Sequence, residues 1–123
     1  MLKSNRPRFL NLIQIRLPMT GLISIFHRVS GVLLFLFLPF LLYLLQLSLN
    51  DAMSFDDAQA ILSGWPARIA GLFLLWLFAY HLFAGVRVIL IDMDLGSDLV
   101  TARRSALLVL ISALLLAVGV TVL

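Results

Sequence analysis

The sequence predicts an all-α membrane protein with three transmembrane helices and a cytoplasmic N-terminus, built as a single membrane-anchor domain over residues 1–123. Three observations predict it. Hydrophobic residues make up 63% of the chain and charged residues 12%, and a soluble domain this small has too much surface for its volume to hide that much apolar area. Three apolar stretches reach the roughly 20 helical residues needed to cross about 30 Å of hydrocarbon. Lys and Arg also alternate between sides in the way that sets membrane orientation.

The elements follow in order. Residues 1–18 form a basic tail with Lys3, Arg6, Arg8 and Arg16, and the mixed segment 9–18 suits the inner membrane interface. The first span covers 20–47. Pro18 stands where a first helical turn tolerates proline, and Pro39 removes a backbone donor inside the span and is expected to kink it. The apolar run is too long for a cleaved signal peptide. The loop that follows holds Asp51, Asp56 and Asp57 and no basic residue. Ser54 with Asp57 resembles a capping box opening a short surface helix over 54–62. The second span covers 67–91, and the loop after it ends in Arg103 and Arg104. The third span covers 105–123. The tail and second loop therefore face the cytoplasm, and the first loop and C-terminus face outside.

Composition excludes several functions. With no cysteine, the chain holds no disulfide, thiolate zinc site or iron–sulfur cluster. A pI of about 10.2 would suit nucleic acid, but the basic residues are few and flank apolar spans, so no nucleic-acid role is expected.

Ionisable groups at membrane depth are costly and mark sites. They are His27 and Arg28 in the first span and His81, Arg87 and Asp92 in the second. His27 lies about 13 Å along the axis from Pro18, and His81 about 16 Å from Asp92, at 1.5 Å per residue. Antiparallel spans thus put both histidines at similar depth in the cytoplasmic half. Ser24, His27, Arg28 and Gly31 share one helix face, extended by Thr20 and Gly21, and His81, Ala84, Gly85, Val88 and Asp92 share another. Arg87 points roughly 120° from His81 and serves a different contact.

Two readings of these faces stay open on spacing alone. A b-type haem needs an axial imidazole, room for a flat ring and cations for its propionates, which His81, Ala84 with Gly85, and Arg28 with His27 would supply. Equally, a membrane histidine serves as an interhelical hydrogen-bonding group, and small residues allow close helix packing. His27 and Arg28 likewise read either as cavity-lining groups or as interfacial anchors.

Arg6-Pro7, the segment SIFHRVSG at 24–31 and HLFAGVRVILID at 81–92 resemble the cytochrome b membrane-anchor (C) subunits of succinate dehydrogenase, nearest the bacterial ones. That family's pattern is Arg-Pro, then Ser-x-x-His-Arg-x-Ser/Thr-Gly, then His-x-x-x-Gly-x-Arg with a following aspartate. Val88, Arg8 and Asp94 depart from it. The resemblance implies a subunit of succinate:quinone oxidoreductase in the bacterial inner membrane. Its partners would be a flavoprotein, an iron–sulfur protein and a second small anchor. This chain would help bind haem b and form part of the ubiquinone-reduction site, with no flavin or iron–sulfur cluster of its own. His81 matches the axial haem-iron ligand, opposite a ligand from the second anchor. His27 and Arg28 match the propionate neighbours, and Ser24, Arg28 and Asp92 the quinone-site residues. The alternatives are a fumarate reductase anchor or, in another class, a small structural or transport subunit whose buried charges form a proton path.

Overall fold

The computed structural model describes residues 17–122, and within them the chain is helical: α1 (Met19–Asn50), α2 (Ala52–Ser63), α3 (Trp65–Asp92) and α4 (Leu99–Val122). Three of these, α1, α3 and α4, are long and apolar enough to cross a membrane. The basic tail with its Arg-Pro pair, most of segment 9–18 and Leu123 lie outside the described residues.

Helix ends follow from local chemistry. Pro18 is the N-cap of α1, one position ahead of the first turn, and its carbonyl accepts from the Gly21 and Leu22 amides at 2.9 and 3.2 Å. The helix continues through Pro39 to Asn50. The capping box expected at Ser54 is not the cap that forms. Asp51 caps α2, accepting from the Ser54 amide at 2.8 Å and the Ser54 hydroxyl at 2.9 Å. A carboxylate competes better than a hydroxyl for helix-terminal amides, so α2 begins at Ala52. The same device moves the start of α4 ahead of the expected residue 105. Asp98 Oδ2 accepts from the Thr101 amide at 2.9 Å, and the helix starts at Leu99. Gly64 caps α3, with Pro66 in its first turn, as proline's fixed φ favours. At the far end Asp94 takes φ 59° and Gly96 φ 75°, the left-handed turn that stops the helix. Aspartate tolerates that region better than most residues.

The core is thin and made largely of small residues. Ile23 of α1, Ala79, Tyr80 and Ala84 of α3, and Ala106, Val109 and Ala113 of α4 form one buried cluster. On α4, Ala102, Ala106, Val109, Ala113 and Ala117 are all buried at four-, three-, four- and four-residue steps. This gives a seam of small side chains that lets two helices approach where lipid offers no hydrophobic drive. Polar groups fasten the seams. Tyr80 donates to the Ile23 carbonyl at 2.9 Å. Arg87 Nε donates to Ser105 Oγ at 3.0 Å and its Nη2 to the Ala102 carbonyl at 3.1 Å, tying α3 to α4. In α1 only Ile23, Ser30 and Leu44 are buried, so most of that helix faces outward.

Candidate functional site

Two polar clusters lie along the α1–α3 seam. The first centres on the histidines. His27 and His81 stack with ring centroids 4.3 Å apart and planes 27° from parallel. Glycines make the room: a Cβ on Gly31 would lie 2.9 Å from His81 Cε1, and one on Gly85 would lie 3.4 Å from His27 Nε2. His81 Nδ1 lies 3.0 Å from Ser30 Oγ and 3.1 Å from the His27 carbonyl oxygen, while Ser30 Oγ donates to that carbonyl at 2.7 Å. Ser30 is buried, and both histidines are half-buried.

The second cluster is a cleft of about 390 Å³ where α1, α3 and the start of α4 converge. Thr20, Ser24, Arg87, Asp92 and Ser97 give it a polar lining. Of the residues singled out in the sequence, Ser24 and Asp92 share this cleft. Arg28 does not line it, and its side chain is exposed. The α1 face buried against α3 runs through Ile23, His27 and Ser30, and Arg28 lies roughly 100° around the helix from His27 and about 140–160° from Ile23 and Ser30.

Two participants, Ser30 and Tyr80, are not among the residues singled out in the sequence. Ser30 follows Ile23 by seven residues and His27 by three, a stripe that marks the buried side of α1 better than the polar stripe through Arg28. Tyr80, next to His81, gave no polar-periodicity signal. Arg87 turned away from His81 as expected, toward α4, yet it also borders the cleft.

Among the described residues no group of three or more His, Cys, Asp or Glu side chains gathers as a metal cage. What His81 offers a metal is one imidazole nitrogen, Nε2. The chemistry fits a haem-iron ligand: a ring held at Nδ1, seated against a glycine, with no described protein group bonded to Nε2. The contacts themselves show His81 as an interhelical hydrogen-bonding group, one of the two readings open on the sequence.

Comparison with known proteins agrees with the architecture. Residues 3–121 match the model of the succinate dehydrogenase/fumarate reductase transmembrane subunit family. The chain is 34% identical to the succinate dehydrogenase cytochrome b556 subunit of Coxiella burnetii over 85% of each chain. It is 35% identical to the cytochrome b560 subunit of Chondrus crispus over 89% of this chain and 88% of the relative. For the cytochrome b556 subunit of Paracoccus denitrificans the identity is 27%, over 94% and 89%.

Proposed function

The chain belongs to the succinate dehydrogenase/fumarate reductase transmembrane subunit family, and from that premise we propose that it anchors a succinate:quinone oxidoreductase, helps bind haem b and forms part of the ubiquinone-reduction site. The observation that carries this reading is the stacked His27–His81 pair on its glycine seat, with Arg28 exposed beside it on α1. The cytochrome names of the relatives support it.

His81 would hold the iron through Nε2, with the opposite ligand from a second anchor subunit. His27 and Arg28 would meet the propionates. When bound, the haem supplies a one-electron store beside the quinone pocket. A guanidinium at membrane depth is costly to leave against lipid. The exposed side of α1 at Arg28 is therefore the side that the partner anchor and the propionates would cover. Ser24 and Arg28 are one turn apart, so a quinone ring seated at that edge would meet both. The Ser24 hydroxyl would donate to a quinone carbonyl, and the Arg28 cation would stabilise negative charge developing on it. Asp92, which lines the same cleft as Ser24, would complete the quinone site. An iron–sulfur subunit would dock at the cytoplasmic face and deliver electrons from a flavoprotein. The placement is the bacterial inner membrane, N-terminus inside.

The test separates quinone chemistry from succinate chemistry. In the assembled complex, Ser24→Ala and Arg28→Leu should leave succinate oxidation by a soluble dye intact, because neither residue would touch the succinate site. Quinone reduction should fall about fivefold for Ser24→Ala, the equivalent of about 1 kcal/mol, and more steeply for Arg28→Leu. Wild-type quinone reduction by an assembled Arg28→Leu complex would remove Arg28 from the site.

A further inference from the structure

We propose that Ser30 is a positioning residue: together with the His27 main-chain carbonyl it fixes the proton of His81 on Nδ1, so that Nε2 is the nitrogen presented to the haem iron. This rests on the reading of His81 as the axial ligand and deepens it.

Three distances carry the argument. Ser30 Oγ is 2.7 Å from the His27 carbonyl oxygen. His81 Nδ1 is 3.0 Å from Ser30 Oγ and 3.1 Å from the same carbonyl oxygen. A carbonyl oxygen only accepts. A ring nitrogen 3.1 Å from it must donate, since the other tautomer would set lone pair against lone pair. Ser30 has one hydroxyl proton and gives it to the carbonyl, so toward His81 its oxygen is a second acceptor. Both acceptors therefore require the proton on Nδ1, and a neutral ring then carries its lone pair on Nε2.

The surroundings lock this choice. Ser30 is 2% exposed, so water does not replace a lost bond. His27 stacks on the His81 ring at 4.3 Å, and Gly31 lies so close that a Cβ there would be 2.9 Å from Cε1. Turning the ring over would put a C–H where Nδ1–H now bonds and forfeit both acceptors. Acceptors behind a ligating imidazole make it a stronger donor, and a stronger donor favours the oxidised iron. The Ser30 hydroxyl thus holds the haem potential down, acting on the iron only through His81.

The experiment is redox titration and electron paramagnetic resonance of the haem in the assembled complex, for wild type and for Ser30→Ala, Ser30→Thr, Ser30→Cys and His81→Ala. Ser30→Ala should raise the midpoint potential and shift the oxidised-haem signal. Ser30→Thr, which keeps the hydroxyl, should restore both. Ser30→Cys keeps the volume with a weaker acceptor, so it should shift them in the same direction as Ser30→Ala and serves if the alanine variant does not assemble. Loss of haem in His81→Ala together with wild-type potential and signal in Ser30→Ala, or in Ser30→Cys where the alanine variant does not assemble, overturns the inference and leaves the axial reading standing. A shift that Ser30→Thr does not reverse also overturns it, because it would report packing. An unaltered haem in His81→Ala overturns the axial reading itself.

Discussion

Gly31 and Gly85 each back onto a histidine of the opposite helix, but they leave different room. A Cβ at 31 would sit 2.9 Å from the His81 ring, a separation carbon atoms do not adopt, while one at 85 would sit 3.4 Å from His27, near ordinary contact. Gly31→Ala should therefore push His81 off its seat and lower the haem content per assembled complex severalfold, whereas Gly85→Ala should lower it little. Equal losses in pigment-to-protein ratio would contradict that ordering. Arg87 shows a second asymmetry. Ser105 gives its own proton to the Ala102 carbonyl at 3.1 Å, so replacing Arg87 leaves both α4 acceptors with a partner. Ser105→Ala instead strands a buried guanidinium N–H. It should cost about 1–3 kcal/mol in unfolding from mild detergent, and Arg87→Leu less. The histidines, Ser24, Arg28 and Asp92 were visible in the sequence because ionisable and polar groups are rare in apolar spans. Ser30 was not, because a hydroxyl that bonds its own helix at i−3 is common in membrane helices and only the tertiary contact with His81 gives it a role.

Helix limits depend on caps, and there the residue spacing alone misplaces the starts of α2 and α4. Asp51 and Ser54 both precede the α2 apolar pattern, and spacing does not say which wins the amide. The ion–dipole term decides for Asp51. Asp51→Ala should therefore speed amide exchange in the first turn of α2, and Asp57→Ala should not. Protonation should act in the same way. The Ser54 amide and hydroxyl hold the Asp51 carboxyl below its usual range, and the Thr101 amide and side chain do the same for Asp98. Groups depressed in the folded state stabilise it above their ordinary pKa and lose that effect as pH falls through the folded value. Exchange at the Ser54 and Thr101 amides should thus be flat near neutrality and rise, relative to mid-helix amides of the same sample, only below about pH 4. A rise centred near neutral pH would point to a different titrating group. The alanine seam of α4 was present in the sequence as small residues at three- and four-residue steps, but nothing there said which neighbour it faced.

The three-span architecture was legible as a whole because hydrocarbon thickness and backbone hydrogen bonding leave a chain this apolar few options. What pairs with it was not legible from periodicity, since lipid and a partner helix both favour apolar faces. Most of α1 remains uncovered within the chain, a face that lipid or a partner helix would cover equally well. Orientation rests on the acidic first loop against Arg103 and Arg104. Single cysteines at Gln59 and Ser97, both exposed, should be labelled by an impermeant maleimide on intact cells at the first position only, and the reverse pattern would invert the topology. The central claim, that the α1–α3 seam presents His81 to haem, is tested most directly by the reduced-minus-oxidised spectrum of the assembled complex carrying His81→Ala beside one carrying His27→Ala. The account predicts that the b-type bands vanish or are strongly displaced in His81→Ala and shift only modestly in His27→Ala. Bands lost in His27→Ala and unaltered in His81→Ala would contradict it.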